Sequence, residues 1–104
     1  MQAVLSVETL PECAIDAAAQ FMNVHLASVR SLLADEADAL AIVLPSAPRD
    51  HDDWRRAVAR DLARAHAPAR VNVVGTSQES QRIALLGYLE GAPGITGQYL
   101  PGHE

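Results

Sequence analysis

Arg70-Val-Asn-Val-Val74, then a segment of helical length, then Gly94-Ile-Thr-Gly-Gln-Tyr-Leu-Pro-Gly102 make up the C-terminal third of the chain, and this third decides how the rest is read. Val71 to Val74 is β-branched and short, the composition of a strand. Thr76-Ser-Gln-Glu79 has capping-box spacing, so a helix opens there and runs to about Glu90. Gly91 to Gly94 then makes a turn, and Ile95 to Leu100 a short final strand. Strand, helix, strand at this spacing is a parallel β-α-β unit.

The same alternation continues upstream. Asp50 to Ala67 reads as a helix with Trp54, Val58, Leu62 and Ala65 inward and Arg56, Arg60 and Arg64 outward. Leu40-Ala-Ile-Val-Leu44 is a continuous apolar run bounded by Pro45 and Pro48 and reads as a strand buried on both faces. From about Pro11 to Asp35 the pattern is helical. One stripe runs through Ile15, Ala19, Met22, Leu26, Val29 and Leu33, and a second through Ala14, Ala18, Phe21, Ser28 and Leu32. Pro11 suits the first turn of this helix, and Cys13 within it reads as a small buried apolar residue. Gln2 to Val7 is the first strand. The order β-α-β-α-β-α-β implies a small three-layer α/β sandwich, Rossmann-like and half-size. Its four or so strands are mainly parallel and joined by right-handed crossovers.

The 104 residues fit one domain, 1–104. The formal charge of -5 repels phosphate backbones, so nucleic acid is not an expected partner. All eight basic residues are Arg, the usage of a GC-rich bacterial genome, so no Schiff base and no lysine base is available. One cysteine excludes an intrachain disulfide and a cysteine zinc cluster. No apolar run reaches the roughly 20 residues a bilayer requires, and the start carries no basic leader, so a cytoplasmic protein without membrane contact is expected.

Several residues invite a sharper chemistry. Asp50-His51-Asp52-Asp53 has ligand types, but neighbours at a helix start diverge and acidic residues there complement the helix dipole, so no metal is expected. His25, His66 and His103 are scattered. Gly75-Thr76-Ser77 before a helix could cradle a phosphate, on one glycine only.

Taken together, Arg70-Val71-Asn72-Val73-Val74 and Ile95-Thr96-Gly97-Gln98 with Leu100 resemble the C-terminal half of the short-chain dehydrogenase/reductase family, and the best match runs from Arg60 to Gly102. Leu62-Ala63 and Ala67-Pro68 fit the helix that leads into the family's "R-V-N" strand. Asn23-Val24-His25-Leu26 and Ile42-Val43-Leu44-Pro45-Ser46 are weaker echoes. The departures bear on function. The glycine-rich cofactor turn has no counterpart, and Ser6-Val7-Glu8-Thr9 stands where the family has "N-N-A-G". The active-site helix Asn falls on His25, and the Tyr and Lys positions fall on Pro48 and Asp52. The "P-G" loop is Thr76-Ser77, and Ser46 alone remains near the catalytic serine position. The expected catalytic, cofactor and metal residues are therefore none, and no tight NAD(H) or NADP(H) binding is expected.

In the family the helices equivalent to the first two here, with the last helix and strand, form subunit contacts. The resemblance thus implies a non-catalytic, associating protein, with Phe21, Met22, His25, Leu26, Val29, Leu33, Trp54 and Val58 as candidate interface residues. The expected partners are a second copy of the chain and, beyond it, a short-chain dehydrogenase. The alternative is an accessory or small-ligand-binding subunit that completes a site on a full-length member.

Overall fold

Four parallel strands in the order β1-β2-β3-β4 form the sheet in a computed structural model, which describes residues 2–35 and 37–102. The strands are β1 (Gln2–Ser6), β2 (Ala39–Leu44), β3 (Arg70–Gly75) and β4 (Tyr99–Pro101). The helices are α1 (Ala14–Gln20), α2 (Leu26–Ala34), α3 (Asp52–Ala65) and α4 (Glu79–Glu90). β2 is buried at every position, as its unbroken apolar sequence requires of a central parallel strand. Leu40, Ile42, Leu44, Val71 and Val73 face Phe21, Val29, Ala59 and Leu62 on one side of the sheet. Ala41, Val43 and Val74 face Leu89, with Leu85 and Leu86 beside it, on the other. The three-layer arrangement follows: α1, α2 and α3 over one face, α4 over the other.

This placement corrects the expectation of uniformly right-handed crossovers. Each connection steps to the next strand in the same lateral direction. The first two pass over one face and the third over the opposite face. The β3-α4-β4 crossover therefore has the opposite hand to the other two.

The first helical region is also not one regular helix. A π-helical segment, Phe21–His25, joins α1 to α2. Ala17 before it and Phe21 at its first position are fully buried; after it, Val29 is. In a regular helix Val29 would sit about 80° round from Phe21, since each residue turns about 100°. The wider π turn absorbs one extra residue and brings Val29 back to the sheet. The two apolar stripes are therefore used in succession. The second stripe faces inward up to Phe21 and the first from Leu26 on, which leaves Ile15 at 79% and Met22 at 48% exposure.

Local boundaries differ too. α1 starts at Ala14, with Cys13 at its N-cap and exposed, because Pro11 and Glu12 belong to the preceding loop. α4 starts at Glu79 without a side-chain cap. The Thr76 hydroxyl instead accepts from the Gln78 amide at 3.1 Å and donates to Gln81 Oε1 at 2.9 Å, so the capping box is not made.

The predicted strand over 95–100 shrinks to Tyr99–Pro101 because side chains share its pairing with β3, beside the backbone bonds from Gly97 to the Val71 carbonyl and from Val73 to the Gln98 carbonyl. The Val71 amide donates to Thr96 Oγ1 at 3.0 Å. Asn72, 2% exposed, donates to the Ile95 carbonyl and accepts from the Gln98 amide, both at 3.0 Å. Gly97 completes the clamp at φ +73°, a left-handed conformation that suits glycine. Arg70 Nη1 meanwhile donates to the carbonyls of Leu89 and Ala92 and so caps the end of α4. The most recognisable sequence in the chain is thus architectural.

Candidate functional site

In parallel sheets ligands collect beyond the carboxyl ends of the strands, where successive connections leave toward opposite faces. Here that place lies between β2, whose chain leaves toward α3, and β3, whose chain leaves toward α4. Ser46 and Ser77 bridge it. The Ser46 amide donates to Ser77 Oγ and the Ser77 amide donates to Ser46 Oγ, both at 2.9 Å. With the Gln78 amide on Thr76, two donors that could have cradled a phosphate at Gly75–Ser77 are already engaged within the chain.

Around this bridge lie three clefts. One, of about 250 Å³, runs under Ser6, Glu8, Ser77 and Arg82, where Arg82 Nη2 donates to Ser6 Oγ at 3.2 Å. A second, of about 430 Å³, is bordered by Ser46, Arg49, Asp52, Gly75 and Tyr99. A third, of about 380 Å³, lies between the loop at Leu10–Glu12 and the loop at Pro45–Pro48.

Pro48 and Asp52, which occupy the Tyr and Lys positions of the resemblance, do no comparable work. Pro48 precedes a single 3₁₀ turn at Arg49–His51, and Asp52 pairs with Arg56 at 3.8 Å. The acidic run there is also committed: Asp53 reaches Arg56, and His51 is 2% exposed with both ring nitrogens engaged. Trp54 Nε1 donates to His51 Nδ1 at 3.1 Å, which fixes the proton on Nε2, and Nε2 donates to the Glu12 carbonyl at 2.8 Å. His51 thereby ties the β1–α1 loop to the start of α3.

Sequence reading passed over the contact between Arg55 and Tyr99. Arg55 is 1% exposed. Its Nη1 donates to the Pro45 carbonyl at 2.9 Å and to the Tyr99 hydroxyl at 3.3 Å. The guanidinium lies 5.4 Å from the Trp54 ring centroid and 5.8 Å from that of Tyr99. An Arg three residues after Asp52, beside the outward row Arg56, Arg60 and Arg64, carries no sequence signal of burial. The spacing Arg55, Ala59, Leu62 was the available clue to the inward face, and Ala65 is exposed where it was expected inward.

The candidate interface residues divide. Phe21 and Val29 are fully buried in the chain's own core, so they present nothing to a partner. Leu33 is half-buried against that core, and His25 stacks on Phe21 at 5.9 Å between centroids. Met22, Leu26, Trp54 and Val58 line an open groove of about 370 Å³ between α2 and α3, with Arg30 and Asp61 at its borders. His66 ends α3, and His103 lies outside the described residues. Among the described residues, no group of three or more His, Cys, Asp or Glu converges, and no helix is long and apolar enough to cross a membrane.

Compared with known families, residues 5–102 match the model of the SDR-like family, described as short chain dehydrogenase-like protein. No curated protein and no solved structure gives a match.

Proposed function

Because the chain belongs to the short chain dehydrogenase-like family, we propose that it acts as a non-catalytic member, by self-association through the groove between α2 and α3. The groove carries the reading. Its walls are Met22, Leu26, Trp54 and Val58, and its borders hold one cation, Arg30 on α2, and one anion, Asp61 on α3. A two-fold contact between copies sets each Arg30 against the other copy's Asp61 while the apolar walls meet. Fully burying an aliphatic or Met side chain is worth about 1.5–3 kcal/mol, and these side chains, already half-covered, add a fraction of that each. The chain has no lysine to accompany an active-site tyrosine.

Light scattering after size exclusion tests this. At tens of micromolar the protein is expected to run at twice 11.1 kDa or more. Met22→Glu, at a half-exposed position, is expected to give a folded monomer. A wild-type monomer, or a dimer indifferent to Met22→Glu, overturns the reading. The open outer edge of β1, which pairs only with β2 among the described residues, favours a second reading. There a full-length dehydrogenase docks along that edge, and co-purification of such a protein under mild lysis supports it.

A further inference from the structure

Among the described residues, the buried polar side chains are those of His51, Arg55, Asn72 and Thr76. Of these, only a histidine changes charge near neutral pH. His51 is 2% exposed, and each ring nitrogen has one partner. Nε2 donates to the Glu12 carbonyl at 2.8 Å, and Nδ1 accepts from Trp54 Nε1 at 3.1 Å. An indole N–H donates and does not accept, so the second bond exists only while Nδ1 carries a lone pair. Proton uptake at Nδ1 sets one N–H against another. The bond to Glu12 survives that change, since an imidazolium also donates from Nε2. The effect of a proton therefore falls on Trp54.

Trp54 is also a wall of the groove between α2 and α3. Its ring packs on Phe21 at 6.0 Å and on His51 at 6.3 Å between centroids. We propose that His51 is a proton-sensitive brace for this ring. Neutral, it holds Trp54 in the groove wall. Protonated, it releases the indole, and the groove loses its fit to a second copy of the chain. The consequence for association rests on the self-association reading of the groove; the brace itself does not.

The charged and titratable groups around the imidazole do not offset this. Glu12 and Cys13 on the β1–α1 loop and Asp16 on α1 are exposed, so their fields are screened by water. Arg49 and Asp50 in the 3₁₀ turn are exposed, and Asp52 and Asp53 pair with Arg56. On α3, buried Arg55 lines the same cleft as His51, and its guanidinium lies 5.4 Å from the Trp54 ring centroid. An imidazolium there adds a second positive charge beside one indole. The π segment brings His25, which stacks on Phe21. The loop at Pro45–Pro48 brings no titratable side chain. The brace thus belongs to the neutral imidazole, present at neutral pH and lost as pH falls.

Trp54 is the only tryptophan, so a single indole N–H resonance reports it. Near neutral pH the imidazole nitrogen shifts of His51 are expected to show the proton on Nε2; a proton on Nδ1 overturns the proposal. From about pH 8 to about pH 5 the indole and Nδ1 signals are expected to move with one midpoint. His51→Gln, whose amide can accept from Trp54 and donate to Glu12, is expected to abolish the indole response. His25→Gln and His66→Gln are expected to keep it. Over the same range light scattering is expected to show self-association weakening by about tenfold, and no such change in His51→Gln. An indole signal indifferent to pH, or moving alike in His51→Gln, overturns the brace. So does loss of the whole amide spectrum together with it, which is acid unfolding. Should His51→Gln fail to fold, separate midpoints for the indole and Nδ1 signals refute the brace. A dimer of equal affinity at both ends of the range overturns the coupling to the groove. A wild-type monomer at every pH overturns the self-association reading, and the indole signal still decides the brace.

Discussion

Gly75 and Tyr99 place one residue-scale demand on the chain that can be measured directly. The missing side chain at Gly75 is filled by the phenol of Tyr99 and the tip of Arg55. Gly75→Ala is expected to destabilise by about 1–3 kcal/mol, the usual result of overpacking, and Tyr99→Phe in the same chain to recover part of it by removing the nearest atom. Urea denaturation of the two variants reads both values, and a neutral Gly75→Ala would mean that the phenol moves aside freely. None of this was legible beforehand. A charged residue at position 55 reads as solvent-facing because most are, and only the half-buried rings of Trp54 and Tyr99, with the Pro45 carbonyl, turn it inward. Arg70 and Asn72 were legible as a motif, yet their tasks, capping α4 and clamping 95–98, are structural. A resemblance to an enzyme family therefore located the frame better than it located any chemistry.

At the scale of elements, the alternation of strand and helix was plain in the sequence because apolar period and length are local properties. What was not plain depends on long-range fit. Two apolar stripes on one helical stretch looked like two faces needing cover. The π turn at Phe21–His25 shows instead that they are successive parts of one face, displaced by an added residue. Deleting Asn23, exposed in that turn, is therefore expected to give a regular helix without loss of the core. Phe21 and Val29 then lie seven residues apart, about 20° off the same face, and both still meet the sheet. Thermal and chemical unfolding of the deletion variant, with circular dichroism for helix content, tests this. A loss on the order of 2–5 kcal/mol, the cost of a large side chain leaving the core, would show that the two stripes are not related by one added residue. The shortened β4 has a similar cause: Asn72, and Thr96 Oγ1 as acceptor from the Val71 amide, stand in for some of the ladder bonds, and sequence period alone cannot see such substitutes.

For the molecule as a whole, strand direction was readable and winding direction was not. The handedness rule rests on the right-handed twist of a strand feeding a right-handed helix that packs back on the sheet. α4 goes to the face opposite α1, α2 and α3 because Ala41, Val43 and Val74 need covering there and the other face is already occupied. Chain registry has a mechanical side as well. β1 and β4 are the two edges, all strands point one way, and Gln2 and Gly102 sit at opposite ends of the strand direction. Tension applied between those two residues loads the strands lengthwise, so the paired residues joining β2 to β3, from Ala39–Arg70 to Leu44–Gly75, bear it together. Tension between Gln2 and Gly91, both at the amino ends of the strands, instead opens the pairs one after another. Single-molecule pulling is expected to need a higher force through the first pair of handles than through the second, a direction-dependent toughness that no equilibrium measurement would reveal.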